Sequence, residues 1–139
     1  MLTTTSPDLA RDAVRSVLEA WIAGVEQEDF GQIAQVVAGD EDALFISSGV
    51  NECLRGWSAL QAALEAQAAA VKDIRITATD VDIHLLTGGQ AAWATSLWTF
   101  EGRLGDQTIA APLRCTWVCE QREAGWVLVH FHKSIGATH

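Results

Sequence analysis

The sequence lacks tyrosine, has only two prolines and one methionine, and sets nine basic side chains against 18 acidic ones in 139 residues. The formal net charge of −9 excludes the basic surfaces that bind nucleic acid or anionic membranes. No apolar run approaches the roughly 20 residues that cross a bilayer. The first residues have neither the basic nor the apolar region of a signal peptide. We therefore expect a cytoplasmic protein that binds neither nucleic acid nor membrane.

Cysteine is also scarce, and the three residues present form no predicted disulfide. An odd number of thiols without an export signal is typical of a reducing compartment. Cys115 and Cys119 are four residues apart on one predicted strand, which separates their Cα atoms by roughly 13 Å, and a disulfide needs less than about 7 Å. We expect both to be small apolar fillers, and Cys53 to lie in a loop.

What the sequence does contain is apolar: 49% of its residues are hydrophobic and 19% charged. This composition and length predict one folded domain over residues 1–139, with an ordered core from about 7 to 135.

The first half of the chain shows helical periodicity. Ser6-Pro7 is typical of a helix start, and this first helix should extend to about Glu26. Asp29 should cap a second, shorter helix, and a third should run from Trp57 to about Ala70. A short strand is predicted at 43–47.

From residue 73 onward the apolar period changes from 3.6 to 2, which indicates strands. The last three strands are predicted at 91–101, 108–121 and 126–133, with turns rich in glycine between them. Helices followed by a four-stranded antiparallel meander predict an α+β fold. Pro112 cannot donate a ladder hydrogen bond, so it should mark an edge or a bulge.

Strand parity places polar groups together on the last two strands. Arg114 and Thr116 share one face of their strand, and His130, His132 and Ser134 share one face of the next. Burying such groups is costly without partners, so we expect a pocket. Arg114 suits an anionic or carbonyl-bearing ligand. The alternative is a structural ion pair with an acid such as Glu120, Glu101 or Asp82.

His130 and His132 could together bind one metal ion, but the sequence shows no second motif that would supply a third ligand. We therefore expect no metal and no cofactor. A general acid or base role for His132 is the remaining catalytic option.

The chain resembles the SnoaL-like domains of the nuclear transport factor 2-like superfamily. The resemblance lies in the order of elements and in three segments: Leu54-Arg55-Gly56-Trp57, Arg114-x-Thr116-x-Val118 and the ending from Trp126 to Ser134. The resemblance covers roughly residues 8 to 135. It implies a curved antiparallel sheet wrapped against three N-terminal helices as a cone with a pocket, and commonly a dimer through the back of the sheet. The superfamily includes isomerases, dehydratases, cyclases, hydrolases and binding modules, so the fold does not decide the function.

The ketosteroid isomerases of that superfamily use a tyrosine and two aspartates. By the same resemblance, their positions hold Trp21, Ser47 and Arg114 here, so the isomerase triad is absent.

We therefore predict a small-molecule-binding domain whose ligand is organic and anionic or carbonyl-bearing. The alternatives are an enzyme of dehydratase, isomerase or hydrolase type using His132 and Arg114, and an interaction module with a vestigial pocket. The predicted pocket residues are Trp21, Ser47, Trp57, Trp93, Arg114, Thr116, His130, His132 and Ser134.

A homodimer is predicted through the opposite face of the sheet, which carries an apolar row too large for a soluble monomer to expose. That row consists of Ile109, Leu113, Cys115, Trp117, Val127, Val129 and Phe131. If the curvature of the sheet instead puts this row inside the cone, the two faces exchange roles.

Overall fold

The computed structural model describes residues 6–41, 43–49 and 51–136, which form three helices and six strands. The helices are α1 (Pro7–Gln27), α2 (Phe30–Val36) and α3 (Gly56–Ala70). The strands are β1 (Leu44–Ile46), β2 (Cys53–Arg55), β3 (Lys72–Leu85), β4 (Ala91–Leu104), β5 (Gln107–Arg122) and β6 (Gly125–Ser134).

The strands form one curved, open, mixed sheet in the order β2-β1-β6-β5-β4-β3. The predicted meander is β3 to β6, and two short strands extend it. β1 runs parallel to β6, and β2 pairs antiparallel with β1. Cys53 is therefore the first residue of β2, and its prediction as a loop residue was wrong.

Local capping fixes the helix starts as predicted. The Leu9 amide donates to Ser6 Oγ at 3.3 Å, and the Gln32 amide donates to Asp29 Oδ1 at 3.1 Å. These bonds satisfy amides that have no partner within the helix. Because α1 and α2 meet closely after the intervening turn, an added Cβ at Gly24 would lie 2.4 Å from Ile33 Cγ1.

The core is an aromatic cluster between α1 and the concave face of the sheet. The ring of Trp21 from α1 meets Trp117 edge-on at a centroid distance of 5.8 Å and Phe131 at 4.9 Å. Trp98 and Phe45 extend the cluster to either side. Edge-to-face contacts at these distances stabilise the core beyond simple burial.

This core reverses the predicted roles of the sheet faces. Leu113, Cys115 and Trp117 are buried with Phe131 beneath the helices, although we expected them on the outer, dimer-forming face. Arg114 and Thr116 lie on the exposed convex face, although we expected them in the pocket. These apolar side chains form the inner wall of the cone, because Trp21 from α1 packs over them.

A β-bulge in β6 also breaks the predicted parity. Val118 pairs with His130 and Cys119 with Leu128, so Val129 is the extra residue. Trp126 and Leu128 are consequently buried, whereas strand parity grouped them with His130. An inserted residue changes which side chains face inward, since the period of a strand is two.

Two further features concern the edges of the sheet. β6 ends opposite Arg114, so Pro112 lies in a part of β5 that pairs only with β4, as its edge prediction requires. At the β3 edge, the Ile76 amide donates to Glu26 Oε2 at 2.9 Å, which ties the strand to α1. In the described part of the chain, no helix is long and apolar enough to cross a membrane.

Candidate functional site

The structure places the predicted pocket residues in three separate regions. Trp21 and Ser47 line an interior cavity of about 40 Å³. Trp57, at the start of α3, lines a surface cleft of about 590 Å³ that also includes Val37 and Glu41. The remaining residues lie on or beside the convex face of the sheet.

On the convex face the predicted convergence does occur. Arg114 pairs with Ser134, and Thr116 pairs with His132, so these side chains are neighbours across β5 and β6. His130 is half-buried, with its Nδ1 2.6 Å from the Leu44 carbonyl oxygen in β1. The group therefore forms a polar outer surface, and it does not share a cavity with Trp21.

Arg114 lines a groove of about 340 Å³ with Leu97 and Pro112. No ion pair involves Arg114 within the described residues, and Glu120 pairs with Arg122 at 2.9 Å. Trp93 is 37% exposed and stacks on His84 with a centroid distance of 4.1 Å. It belongs to the same convex surface.

The larger interior cavity, of about 260 Å³, lies between α1 and strands β3, β4 and β5. Ser96, Trp98 and Trp117 line it from the sheet, and the exposed residues Arg15 and Glu19 line it from α1. A cavity with apolar walls and few polar groups is the usual form of a small-molecule site.

Two indole nitrogens inside the cone have no acceptor. Trp21 Nε1 and Trp117 Nε1 are fully buried and, among the described residues, neither has a hydrogen-bond partner. A buried donor without a partner costs about 1–3 kcal/mol. The Trp117 side chain also lines the 260 Å³ cavity.

Lys133 is an interior functional residue that the sequence analysis did not select. Its side chain is 8% exposed, and its Nζ lies 5.3 Å from the Trp98 ring centroid and 5.1 Å from that of Phe131. None of the ion pairs within 4 Å among the described residues includes this amine. Strand parity did place Lys133 on the same apolar face as Phe131. A lysine in an otherwise apolar row was the signal that could have identified it as a buried amine.

Burial lowers the pKa of Lys133, and the nearby Cys115 and Glu52 only partly oppose this effect. Removing an ammonium ion from water favours its neutral form. Lys133 lines the 40 Å³ cavity with Trp21, Ser47 and Glu52.

Cys115 lies between Lys133 and Ser96 in register across three strands. Burial raises the pKa of Cys115 to about 12, although Lys133 and a hydrogen bond with Ser96 act in the opposite direction. Burial likewise raises the pKa of Cys119 to about 12. Both thiols are therefore protonated and unreactive near neutral pH.

Within residues 6–41, 43–49 and 51–136, no group of three or more His, Cys, Asp or Glu side chains is arranged to hold a metal ion.

Comparison with known proteins places this arrangement in a family. A profile described as a SnoaL-like domain matches residues 14–138. No curated protein sequence matches the chain significantly.

Several solved structures share the fold. A nuclear transport factor 2-like superfamily protein from Salmonella enterica serovar Typhimurium superimposes with a TM-score of 0.86 at 20% identity, covering 96% of this chain and 95% of that one. A Streptomyces avermitilis protein of the same family, for which dehydratase activity has been suggested, gives 0.83 at 19% identity over 96% and 100% of the two chains. A hexachlorocyclohexane dehydrochlorinase, LinA-type3, from Novosphingobium barchaimii gives 0.80 at 17% identity over 94% and 91%. At such identities these likenesses establish the fold alone.

Proposed function

Because the chain belongs to the SnoaL-like domain family, we propose that it is a small-molecule-binding domain whose ligand occupies the 260 Å³ cavity between α1 and the sheet. The ligand carries a carbonyl or carboxylate oxygen that accepts a hydrogen bond from Trp117 Nε1. Two observations support this proposal: the Trp117 side chain lines the cavity, and its indole Nε1 is buried without a hydrogen-bond partner among the described residues, so that a small ring movement would be needed to bring it to the ligand.

The cavity supports a ligand of modest size. Its volume is slightly below the roughly 300 Å³ at which drug-sized sites begin, so a single-ring or short aliphatic compound fits best. Trp98 and Trp117 offer flat apolar surfaces, and at the helix side Arg15 can contact an acidic group, although Glu19 beside it carries the opposite charge. An anionic or carbonyl-bearing compound meets these conditions.

The interior does not favour the enzyme that we predicted as an alternative. That mechanism needs Arg114 and His132 beside a bound substrate, and both are exposed on the convex face. Dehydratase and dehydrochlorinase activities belong to the neighbouring structures named above, and at under 25% identity they do not transfer to this chain. Binding is therefore the function that we propose.

A panel of small aromatic and aliphatic carboxylates and ketones, measured by isothermal titration calorimetry, tests the proposal. For any compound that binds, Trp117→Phe should weaken affinity about 5- to 10-fold, since one hydrogen bond of about 1 kcal/mol is lost. Trp93→Phe is the matched control, because Trp93 lies on the convex face. Affinity that is unchanged in Trp117→Phe but lost in Arg114→Ala would place the ligand outside the cone and contradict the proposal.

We further propose a homodimer formed through the convex face, together with a cytoplasmic location. The helices cover the concave face, so the convex face is the one available to a second copy. Leu97 is 46% exposed there, near Trp93 on the same strand. A two-fold contact would bury the same patch on both copies.

A further inference from the structure

The buried amine of Lys133 is not used by the proposed function. It lines the 40 Å³ cavity, whereas the proposed ligand occupies the 260 Å³ cavity. Aromatic rings lie beside its Nζ, and among the described side chains no carboxylate is close enough to form an ion pair with it. An ammonium ion held this way is largely desolvated and has no paired carboxylate among the described residues.

We propose that Lys133 is a nucleophilic amine that forms an imine with a small aldehyde or ketone in this cavity. The site is defined by the cavity at Nζ, the surrounding rings and the absence of a paired carboxylate. It is a second site, independent of the ligand proposed above.

The charged and titratable groups near the amine support a neutral nucleophile. Cys115 faces it from β5 and is protonated, for the reason given above, and Glu52 approaches from the turn between β1 and β2. α1 contributes Trp21 and α3 contributes Gln67, neither of which is charged. The burial-lowered pKa of Lys133 is consistent with this environment, because the neutral form carries the lone pair that attacks a carbonyl.

The reaction balances without any further reagent. The Nζ lone pair forms a bond to the carbonyl carbon while the C=O π electrons move to oxygen. A proton moves from nitrogen to that oxygen, which gives a carbinolamine. The nitrogen lone pair then expels the hydroxyl group as the C–O bond breaks, the remaining N–H proton is transferred to the departing oxygen so that water leaves, and a C=N bond joins the former carbonyl carbon to Lys133. Glu52 and Ser47 line the same cavity and are the available groups for these proton transfers.

The cavity restricts the carbonyl compound to a small one. About 40 Å³ is room for only a few water molecules, each of which needs roughly 10–15 Å³ of cavity volume. A short aldehyde is therefore the appropriate class of probe. Larger carbonyl compounds would have to displace Leu54 or Leu64 from the cavity wall.

The sequence provides an internal competitor for the test, since Lys72 and Lys133 are its two lysines. Lys72 is about half exposed, and its Nζ donates to the Ala68 carbonyl oxygen at 2.7 Å. The wild-type protein is treated at pH 7 with limiting acetaldehyde and sodium cyanoborohydride, which reduces an imine to a stable ethylamine. Peptide mass spectrometry then measures the rate at which each lysine is ethylated, separately from the N-terminal amine.

We expect Lys133 to be ethylated severalfold faster than Lys72, because burial favours the neutral amine, which carries the reacting lone pair. Treatment in urea should abolish the preference, since both lysines are then solvated. Lys72→Arg should retain the fast product, and Lys133→Arg should lose it.

If Lys72 reacts first, or if both lysines react at the same rate in the folded protein, Lys133 is a structural residue and the proposal is wrong. This competition uses the wild-type chain, so it decides the matter even if Lys133→Arg does not fold. Calorimetry of the larger cavity is unaffected by either result, which keeps the two proposals separable.

Discussion

At the scale of single residues, the described interior of this protein holds two indole N–H groups without an acceptor and one amine without a counter-ion. Trp21 and Trp117 supply these indole groups and Lys133 supplies the amine, with partners counted among residues 6–41, 43–49 and 51–136. Each such group lowers the stability of the fold. Such costs are common where a structure is adapted to a ligand, because binding recovers them.

The free-energy cost of burying the Lys133 ammonium group should make the stability of the protein depend on pH. Because its pKa is lowered by folding, the unfolded chain binds more protons between the folded-state pKa and the ordinary lysine value of about 10.4. The free energy of unfolding contributed by this residue therefore rises with pH through that interval. Below the folded-state pKa both states are protonated, and the full cost of the buried charge remains.

We expect Lys133→Met to be more stable than wild type at pH 7, by about 1–4 kcal/mol, with the difference shrinking as pH approaches 10. Urea unfolding at both pH values measures the difference. The titration of the cysteines is common to both proteins and largely cancels. Lys72→Met controls for removing a lysine at the surface. A difference that is constant from pH 7 to 10 would contradict the argument.

At the scale of elements, α1 and α2 can approach closely because Gly24 has no side chain. An added Cβ at Gly24 would lie 2.4 Å from Ile33 Cγ1, a separation that real side chains do not show. At Gly31, in α2, the nearest atom to an added Cβ is Asp29 Oδ1 at 3.6 Å, which is an ordinary contact.

Gly24→Ala should therefore lower the free energy of unfolding by about 1–3 kcal/mol through overpacking. Gly31→Ala should be neutral or raise it by up to about 1 kcal/mol, because alanine loses less backbone entropy in a helix. Urea unfolding of the two variants compares the same substitution in neighbouring helices. Equal effects would show that α2 can move away from α1 without cost.

The elements also show what a sequence reveals and what it does not. The helix starts at Ser6 and Asp29 were predicted because a cap depends on residues within one turn. The faces of the sheet were reversed because their roles depend on where α1 packs, which is a non-local property. The bulge at Val129 changes parity without any proline or glycine to signal it. Lys133 was overlooked because its burial is also a non-local property: the residues around it come from α1, α3 and three strands.

At the scale of the whole molecule, the proposed homodimer has a direct test. Light scattering at micromolar concentration should give twice the 15.0 kDa chain mass for the wild type. Leu97→Glu should give the chain mass, because it places a charge in the centre of the exposed convex patch. Leu9→Glu is the control, since Leu9 is equally apolar and 61% exposed on α1. A wild-type protein that remains at the chain mass would exclude this dimer.

The shape of the interior also strengthens the expectation that the protein is not a ketosteroid isomerase. Trp21 and Ser47 meet in a cavity of only about 40 Å³, and Arg114 lies on the other side of the sheet. A four-ring steroid has no room in that cavity, and the position of the catalytic aspartate is held by Ser47, whose hydroxyl is not a base near neutral pH. We expect no isomerisation of a Δ5-3-ketosteroid above background, followed by ultraviolet absorbance. Measurable isomerisation that disappears in Ser47→Ala would overturn this expectation.

The aromatic cluster has an optical consequence. With six tryptophans and no tyrosine, the near-ultraviolet emission of this protein is almost entirely tryptophan emission. The rings of Trp21, Trp98 and Trp117 form a chain with centroid spacings of 5.8 Å and 5.4 Å, close enough for their excited states to couple. Such coupling produces a paired positive and negative band in far-ultraviolet circular dichroism, superimposed on the backbone spectrum. The centre of the core therefore carries its own chromophore, and a molecule that enters beside Trp117 would change that signal without any added label.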